Sequence, residues 1–406
     1  MRKGNRATYR RIIDGVQQVK QDGHAVLAIG LGGTGIDCLR HLKRKIYERL
    51  PPDNPGGEVP RYDHIRFLAV DTDAVGMRKV ADSSWGAPGE LDLSQEFFDI
   101  SCQDKLSDLL QKRGSNNFAR NPAYREWLQL DEILLPSKVD RGAGGVRQIG
   151  RFLLMRKASN FVLKVKDLVR QATKGSRNND GWVYVHVFSG MGGGTGSGIF
   201  LDVCYLVQEV LRREGVEYPV IMGYFFLPDV NLSKREIPNN VRQYIEHNGY
   251  AAMQELDYCM GFGRNGDHWH QEYPDVGEVH SVGDALAHEQ PVHLCHLIST
   301  REDEIPADAY GHAMNVVADY VMDFLIMSEW NLRAHVLETC DIKSHILNMG
   351  NPKEYVRRYK ACTGGTCSHY LALGDSCVTL PYGDIMAYLV SGLLRRLEES
   401  GLRKSL

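Results

Sequence analysis

No stretch of the 406 residues approaches the run of about 18 uncharged apolar residues that a membrane-crossing helix needs. No apolar core follows the basic start MRKGNRATYRR, so residues 1–23 read as a solvated N-terminal arm and not as a secretory leader. An excess of one charge is also lacking. There are 48 Lys and Arg against 51 Asp and Glu, a formal net charge of −3. That balance offers no electrostatic footprint for nucleic acid or for a membrane surface. Internal repeats and low-complexity tracts are absent, which excludes a repeat architecture. The expectation is a soluble, cytoplasmic protein without a membrane span and without a nucleic-acid partner.

Metal-binding spacing is scarce as well. Of nine cysteines, Cys38, Cys204 and Cys259 sit in apolar helical patterns, where a buried thiol is the ordinary reading. Cys362, Cys367 and His369 in CTGGTCSH are spaced more loosely than the ligands of a four-coordinate zinc site. His293 and His296 flank Cys295 in an apparent strand, where alternation sends the two rings to opposite faces.

What is present is a globular composition, 43% hydrophobic and 24% charged, long enough for a substantial core and more than one domain. Strand and helix patterns alternate along most of the chain. HAVLAIGLGG, RFLAVDTD, WVYVHVFSG, PVIMGYFFLP and PVHLCHLIST read as strands. Helical patterns follow the first and third of these, run continuously through VRQIGRFLLMRKASNFVLKVKDLV, and cover most of 238–260. DAYGHAMNVVADYVMDFLIM reads as a long, largely buried helix, and residues 76–138 as an irregular, elaborated segment. The pattern predicts an α/β fold with a mostly parallel sheet covered by helices on both faces.

Glycine concentrates where strands give way to helices. GMGGGTGSG, Gly190 to Gly198, holds six glycines in nine positions. Glycine loses the most backbone freedom on folding, so such a loop needs a reason. Converging backbone N–H groups and an opening helix form an anion grip, and Thr195 and Ser197 add hydroxyls. GLGGTG, Gly30 to Gly35, matches a dinucleotide fingerprint, but the candidate acids Asp71 and Asp73 come about twice as late as that motif expects. Neither loop carries the lysine of a Walker motif. VDTDA places Asp71 and Asp73 at a strand end, where carboxylates can serve a hydrated magnesium ion or cap a turn. RGAGG, Arg141 to Gly145, is a further glycine loop before a helix. Four such loops on one edge of a parallel sheet would line one crevice.

In this order the segments resemble the nucleotide loops of the tubulin/FtsZ superfamily, and within it the divergent bacterial tubulin-like proteins. GMGGGTGSG is similar to the tubulin signature loop, and VDTDA to the Asn-Thr-Asp-Ala of FtsZ-type proteins. The resemblance spans roughly residues 24–327 and implies a Rossmann-like GTPase domain with a long central helix. It implies GTP or GDP with Mg2+ as ligands. Nucleotide would be held by Gly30, Gly32, Gly33 and Thr34, by Gly142, Ala143, Gly144 and Gly145, and by Gly192, Gly193, Gly194, Thr195, Gly196 and Ser197. Asn315 on the long helix would meet the guanine edge, Arg242 and Asn248 would reach ribose or base, and Asp71 and Asp73 would face the metal.

The resemblance also implies head-to-tail self-association, with hydrolysis completed by a neighbouring subunit. Asp384 in PYGDIMAY matches the family's last catalytic aspartate, while Pro381 occupies the place of another. A helix cap for IMAYLVSGLL is the competing reading of Asp384. Residues 328–376, with Glu329 and Asp341, read as an insertion before the 377–406 strand and helix. The family's second domain has no counterpart before Leu406, and the charged ending favours a fragment of a longer chain. Two alternatives stand beside a GTPase. One is a non-hydrolysing GTP/GDP switch or scaffold that presents 76–138 and 328–376 to protein partners. The other is an NAD-dependent oxidoreductase, on the strength of GLGGTG alone.

Overall fold

The computed structural model describes residues 23–50, 52–54, 61–83, 89–102, 127–128, 142–176, 181–234, 239–261, 269, 271, 273, 290–300, 308–325, 370–372 and 390. The chain divides into a unit Met1–Leu373 and a unit Gly374–Leu406. The first unit carries the sheet.

Strand β1 (Ala25–Leu31) runs into helix α1 (Gly32–Arg49), and β2 (Ile65–Asp71) into α2 (Ala74–Ser83). The short α3 (Leu93–Glu96) leads into β3 (Phe97–Asp99). Helices α4 (Arg147–Arg156) and α5 (Ala158–Gly175) precede β4 (Trp182–Gly190), which runs into α6 (Gly196–Arg213). Then come β5 (Tyr218–Phe226), α7 (Pro228–Leu232), α8 (Asn239–Met260), β6 (Leu294–Ile298), α9 (Ala309–Leu325) and β7 (Tyr370–Ala372).

The seven strands form one sheet in the order β3-β2-β1-β4-β5-β6-β7, and every neighbouring pair is parallel. The expected parallel sheet is therefore what the chain builds. From β1 the chain moves outward to β2 and β3, then returns to lay β4 on the other side of β1. Ligands of open parallel sheets bind outside the strands' C-terminal ends at such a reversal. Register places Leu31 opposite Ser189, so the loops leaving β1 and β4 start side by side.

Alternation along the strands divides the core between two faces. Leu27, Ile29, Val185, Val187, Ile221 and Phe225 pack with Phe152, Phe161 and Leu206 from α4, α5 and α6. Val26, Ala28, Tyr184, Phe188, Met222 and Phe226 pack with Leu39, Leu42, Met314 and Val317 from α1 and α9. Burial on both faces explains the near-continuous apolar strands. On the α9 face a polar stack is buried among them. Tyr224 lies parallel to the ring of His296, with centroids 4.7 Å apart, and its hydroxyl is 3.1 Å from His186 Nδ1. His296 in turn reaches Gly223 O and the Tyr320 hydroxyl. Burial lowers His186 to about 3 and His296 to about 4. His293 faces elsewhere and accepts the Ile221 N–H, so the two histidines are separated as alternation predicts. Cys38, Cys204 and Cys259 are buried.

Two local expectations change. The helix read as continuous from residue 146 breaks at Lys157 (φ −114°, ψ 15°), which ends α4 and opens α5. Lys157 Nζ donates to Asp99 O and Ser101 O at 2.6 and 3.2 Å, so a tertiary anchor interrupts a good helical sequence. Part of the segment read as irregular, 76–138, supplies the edge strand β3, paired to β2 with Asp71 opposite Asp99.

Candidate functional site

β1 ends where Gly32 takes φ +63°, a conformation that side chains rarely adopt. α1 begins at once, with Leu31 at the N-cap and no side chain capping it. Gly32 also lies against the fourth loop: a Cβ on it would stand 2.7 Å from Gly196 N. Similar close approaches occur across the site. A Cβ on Gly30 would be 2.7 Å from Gly35 O, one on Gly194 2.8 Å from Gly145 C, and one on Gly196 2.8 Å from Leu31 O. For these residues packing alone excludes a side chain.

Gly33 and Gly193 are different. A Cβ on either would meet nothing within 4 Å, and neither has a positive φ. Nothing in the folded chain requires glycine at these two positions. They stand in the first and fourth loops, on the side of the crevice where a ligand would lie. Gly142 and Gly144 are also open but have positive φ (97° and 59°), so their turn accounts for them.

The third loop is locked onto the fourth. Asn248 Nδ2 donates to Gly145 O (2.7 Å) and to Gly192 O (3.1 Å), so one amide ties both loops to α8. One turn past the loop, Arg147 donates to Ser197 O (2.8 Å) and to Glu255 on α8. Ala143 is buried. α4 and α6 resemble α1 in opening without a side-chain cap, so three helices following glycine loops start with N–H groups that no cap residue takes.

Thr195 occupies the N-cap position of α6 but does not cap it. Its hydroxyl lies 2.7 Å from that of Thr72. Asp71 accepts the Thr72 N–H at 2.6 Å. Burial raises the Asp71 carboxyl, and hydrogen bonds from Thr72 and the Thr195 hydroxyl partly offset that rise. Asp73 accepts Gly76 N at 2.8 Å, the capping bond of α2. Its carboxylate remains half-buried at the crevice side of β2. Ser197 turns inward and donates to Gly193 O.

Thr34, at the start of α1, accepts from Asn231 Nδ2 at 2.8 Å. Asn231 Oδ1 is buried with no hydrogen-bond partner, 3.4 Å from where a Gly192 Cβ would be. Ser189 Oγ, under Gly196, is likewise buried and unpartnered. Orphaned buried polar atoms are uncommon in native structures, and two of them border one crevice. Beside them Tyr310 donates to Asp37 Oδ2 (2.7 Å), and Lys234 Nζ sits 3.9 Å from the Tyr310 ring centroid.

The structure thus brings together the first, second, third and fourth loops and Asn248. Asn315 is exposed on α9, and its Nδ2 donates back to Gly311 O, one turn from Tyr310. Arg242 is exposed on α8, with Nη2 3.5 Å from Leu232 O. Arg141, Glu329, Asp341, Cys362, Cys367, His369, Pro381 and Asp384 lie outside the described residues. Thr72 and Asn231 are site residues that the motifs did not single out. Thr72 sits inside a recognised motif, whereas Asn231 carries no sequence signal.

The donor set fits an anionic ligand with a hydrated cation. Open backbone at Gly33 and Gly193, uncapped helix starts and the orphaned Asn231 oxygen suit phosphates and a polar sugar or base. Asp71 and Asp73 are two carboxylates at one strand end, the number with which a magnesium ion is usually held beside phosphates. Among the described residues no group of three or more His, Cys, Asp or Glu could hold a metal by itself. No helix among them is long and apolar enough to cross a membrane.

Comparison with solved structures finds CetZ from Methanosaeta thermophila at 14% identity, with 81% of this chain and 60% of that one covered and a TM-score of 0.42. FtsZ from M. jannaschii matches at 15% identity, 79% and 60% coverage and a TM-score of 0.35. TubZ from Bacillus thuringiensis serovar israelensis, solved as a GTPyS-form protofilament, matches at 13% identity, 79% and 61% coverage and a TM-score of 0.39. The chain spans about 60% of the length of each of these proteins. No curated protein matches the sequence. The family model described as "Tubulin like" matches residues 27–398. The chain belongs to the tubulin-like family.

Proposed function

We propose that the chain binds a guanine nucleotide, GTP or GDP with Mg2+, in the crevice at the C-terminal ends of β1, β2 and β4. The observation that carries the reading is the openness of Gly33 and Gly193, two glycines without a packing reason in the loops that follow the neighbouring strands β1 and β4. Consecutive N–H groups of the fourth loop and of the α6 start would hold phosphate oxygens. Gly32, Gly194 and Gly196 would let the loops close beneath them, and Gly142 to Gly145 would border the terminal phosphate. Asn248 would keep third and fourth loops at a fixed spacing. Asp71 and Asp73 would serve a hydrated magnesium ion, which when bound would neutralise phosphate charge. Asn315 and Arg242 would meet the base and ribose side of the ligand. Family membership supports the reading, and the Asn315 amide, able both to donate and to accept, would suit a guanine edge.

In this reading the protein hydrolyses GTP in a head-to-tail assembly, with the catalytic carboxylate, Asp384, supplied by the next subunit. Phosphoryl transfer of this kind depends on positioning and electrostatics more than on covalent chemistry. The dinucleotide alternative rests on GLGGTG alone and leaves RGAGG and GMGGGTGSG without a role.

The test is calorimetric titration with GTP, GDP, ATP and NAD, followed by GTP turnover over a hundredfold range of protein concentration. Saturable binding of GTP and GDP, with turnover per subunit that rises with concentration, is the expected outcome. Tight binding with flat, negligible turnover would leave a nucleotide switch, and retention of NAD alone would restore the oxidoreductase reading.

A further inference from the structure

Thr195 stands at the N-cap of α6, where a threonine hydroxyl ordinarily accepts from the N–H groups of the first turn. Its own backbone is helical there (φ −77°, ψ −66°), and it makes no such bond. The hydroxyl lies 2.7 Å from that of Thr72, 123 residues earlier in the chain. Thr72 is fully buried and Thr195 is 6% exposed. Behind Thr72 lies Asp71, whose Oδ1 takes the Thr72 N–H at 2.6 Å and stands 3.4 Å from the Thr72 hydroxyl.

We propose that Thr72 is a positioning residue for the cation end of the nucleotide site, setting the direction in which the Thr195 hydroxyl points. An ionised carboxylate only accepts hydrogen bonds. With Asp71 accepting from both hydroxyls, the Thr72 and Thr195 protons are directed away from the crevice, toward the second loop. The Thr195 oxygen then turns a lone pair into the crevice. A lone pair suits a magnesium ion or a proton of its hydrating water, and does not suit a phosphate oxygen. This inference rests on the proposed nucleotide binding.

The experiment compares GTP affinity in Mg2+ with affinity in EDTA for the full chain, Thr72→Val and Thr72→Ser. In the wild type, affinity should rise when Mg2+ replaces EDTA. Thr72→Val keeps the shape and removes the hydroxyl. It should lose at least fivefold of the Mg2+-linked gain, read as the ratio of its affinities in Mg2+ and in EDTA. Thr72→Ser, which restores the hydroxyl, should recover that gain, and it guards against a merely misfolded valine variant. A valine variant with the full Mg2+-linked gain overturns the proposal, as does one weakened equally with and without Mg2+. A wild type that binds GTP without any Mg2+-linked gain overturns it too, whereas a wild type that does not bind GTP removes the parent reading itself.

Discussion

Gly32 and Gly196, the first residues of α1 and α6, touch backbone to backbone: a Cβ on Gly32 would stand 2.7 Å from the Gly196 nitrogen. Gly32 is also held at φ +63°. Gly32→Ala therefore meets two costs, a left-handed backbone worth roughly 1–2 kcal/mol and a contact that forces the loops apart. Chemical denaturation should show a loss of at least about 1 kcal/mol relative to the wild type. An alanine variant of unchanged stability would mean that the two loops do not pack this way.

Gly33 and Gly193 make the opposite case. Alanine fits at both without contact, so Gly33→Ala and Gly193→Ala should each stay within about 0.5 kcal/mol of wild-type stability. Nucleotide affinity should nevertheless fall about tenfold or more, as methyl groups enter the space assigned to phosphates. Loss of stability without loss of affinity would place these glycines in the scaffold and not in the site.

Asn248 donates to the carbonyls of two loops at once. Asn248→Ala removes both bonds and should cost about 1–2 kcal/mol, with weakened nucleotide binding. Asn248→Asp should be worse, because an ionised carboxylate would face two carbonyl oxygens with nothing to donate. Denaturation and titration of the two variants together check the order, and an aspartate variant better than the alanine one would contradict it.

The buried histidines make a prediction for pH. His186 and His296 are held neutral, at about 3 and about 4, below the 6.5 of an unfolded histidine. Between those limits the unfolded chain binds more protons, so stability is present above pH 6.5 and is lost as pH falls. Each contributes a slope of up to about 1.4 kcal/mol per pH unit in that window. Asp71 and Glu96, raised by burial, act in the opposite direction. A comparison of wild type and His186→Gln between pH 7 and pH 5 isolates the histidine: the variant should show the shallower loss. Parallel curves would mean that His186 titrates normally in the folded protein.

Much of the site could be read in the sequence, because glycine loops at strand ends are local signals. Short apolar runs that end in glycine, proline or acids likewise placed β1, β2, β4 and β5. What could not be read depended on distant partners. Nothing near Lys157 predicts a helix break, since the cause is two carbonyls from the β3 edge. Thr72 gains its role from Thr195, and Asn231 from Thr34, 197 residues away. Sequence also treats all the glycines of a loop alike. Only the packing separates Gly30 and Gly196, which neighbouring backbone excludes from substitution, from Gly33 and Gly193, which it does not.

The most direct test of the account is equilibrium binding of GTP to the full chain, measured beside ATP and repeated with Gly193→Ala. One GTP per chain should bind saturably and ATP more weakly, and the variant should lose much of that affinity at unchanged stability. Absence of GTP binding at millimolar nucleotide, in a protein that is folded by its denaturation profile, would contradict it.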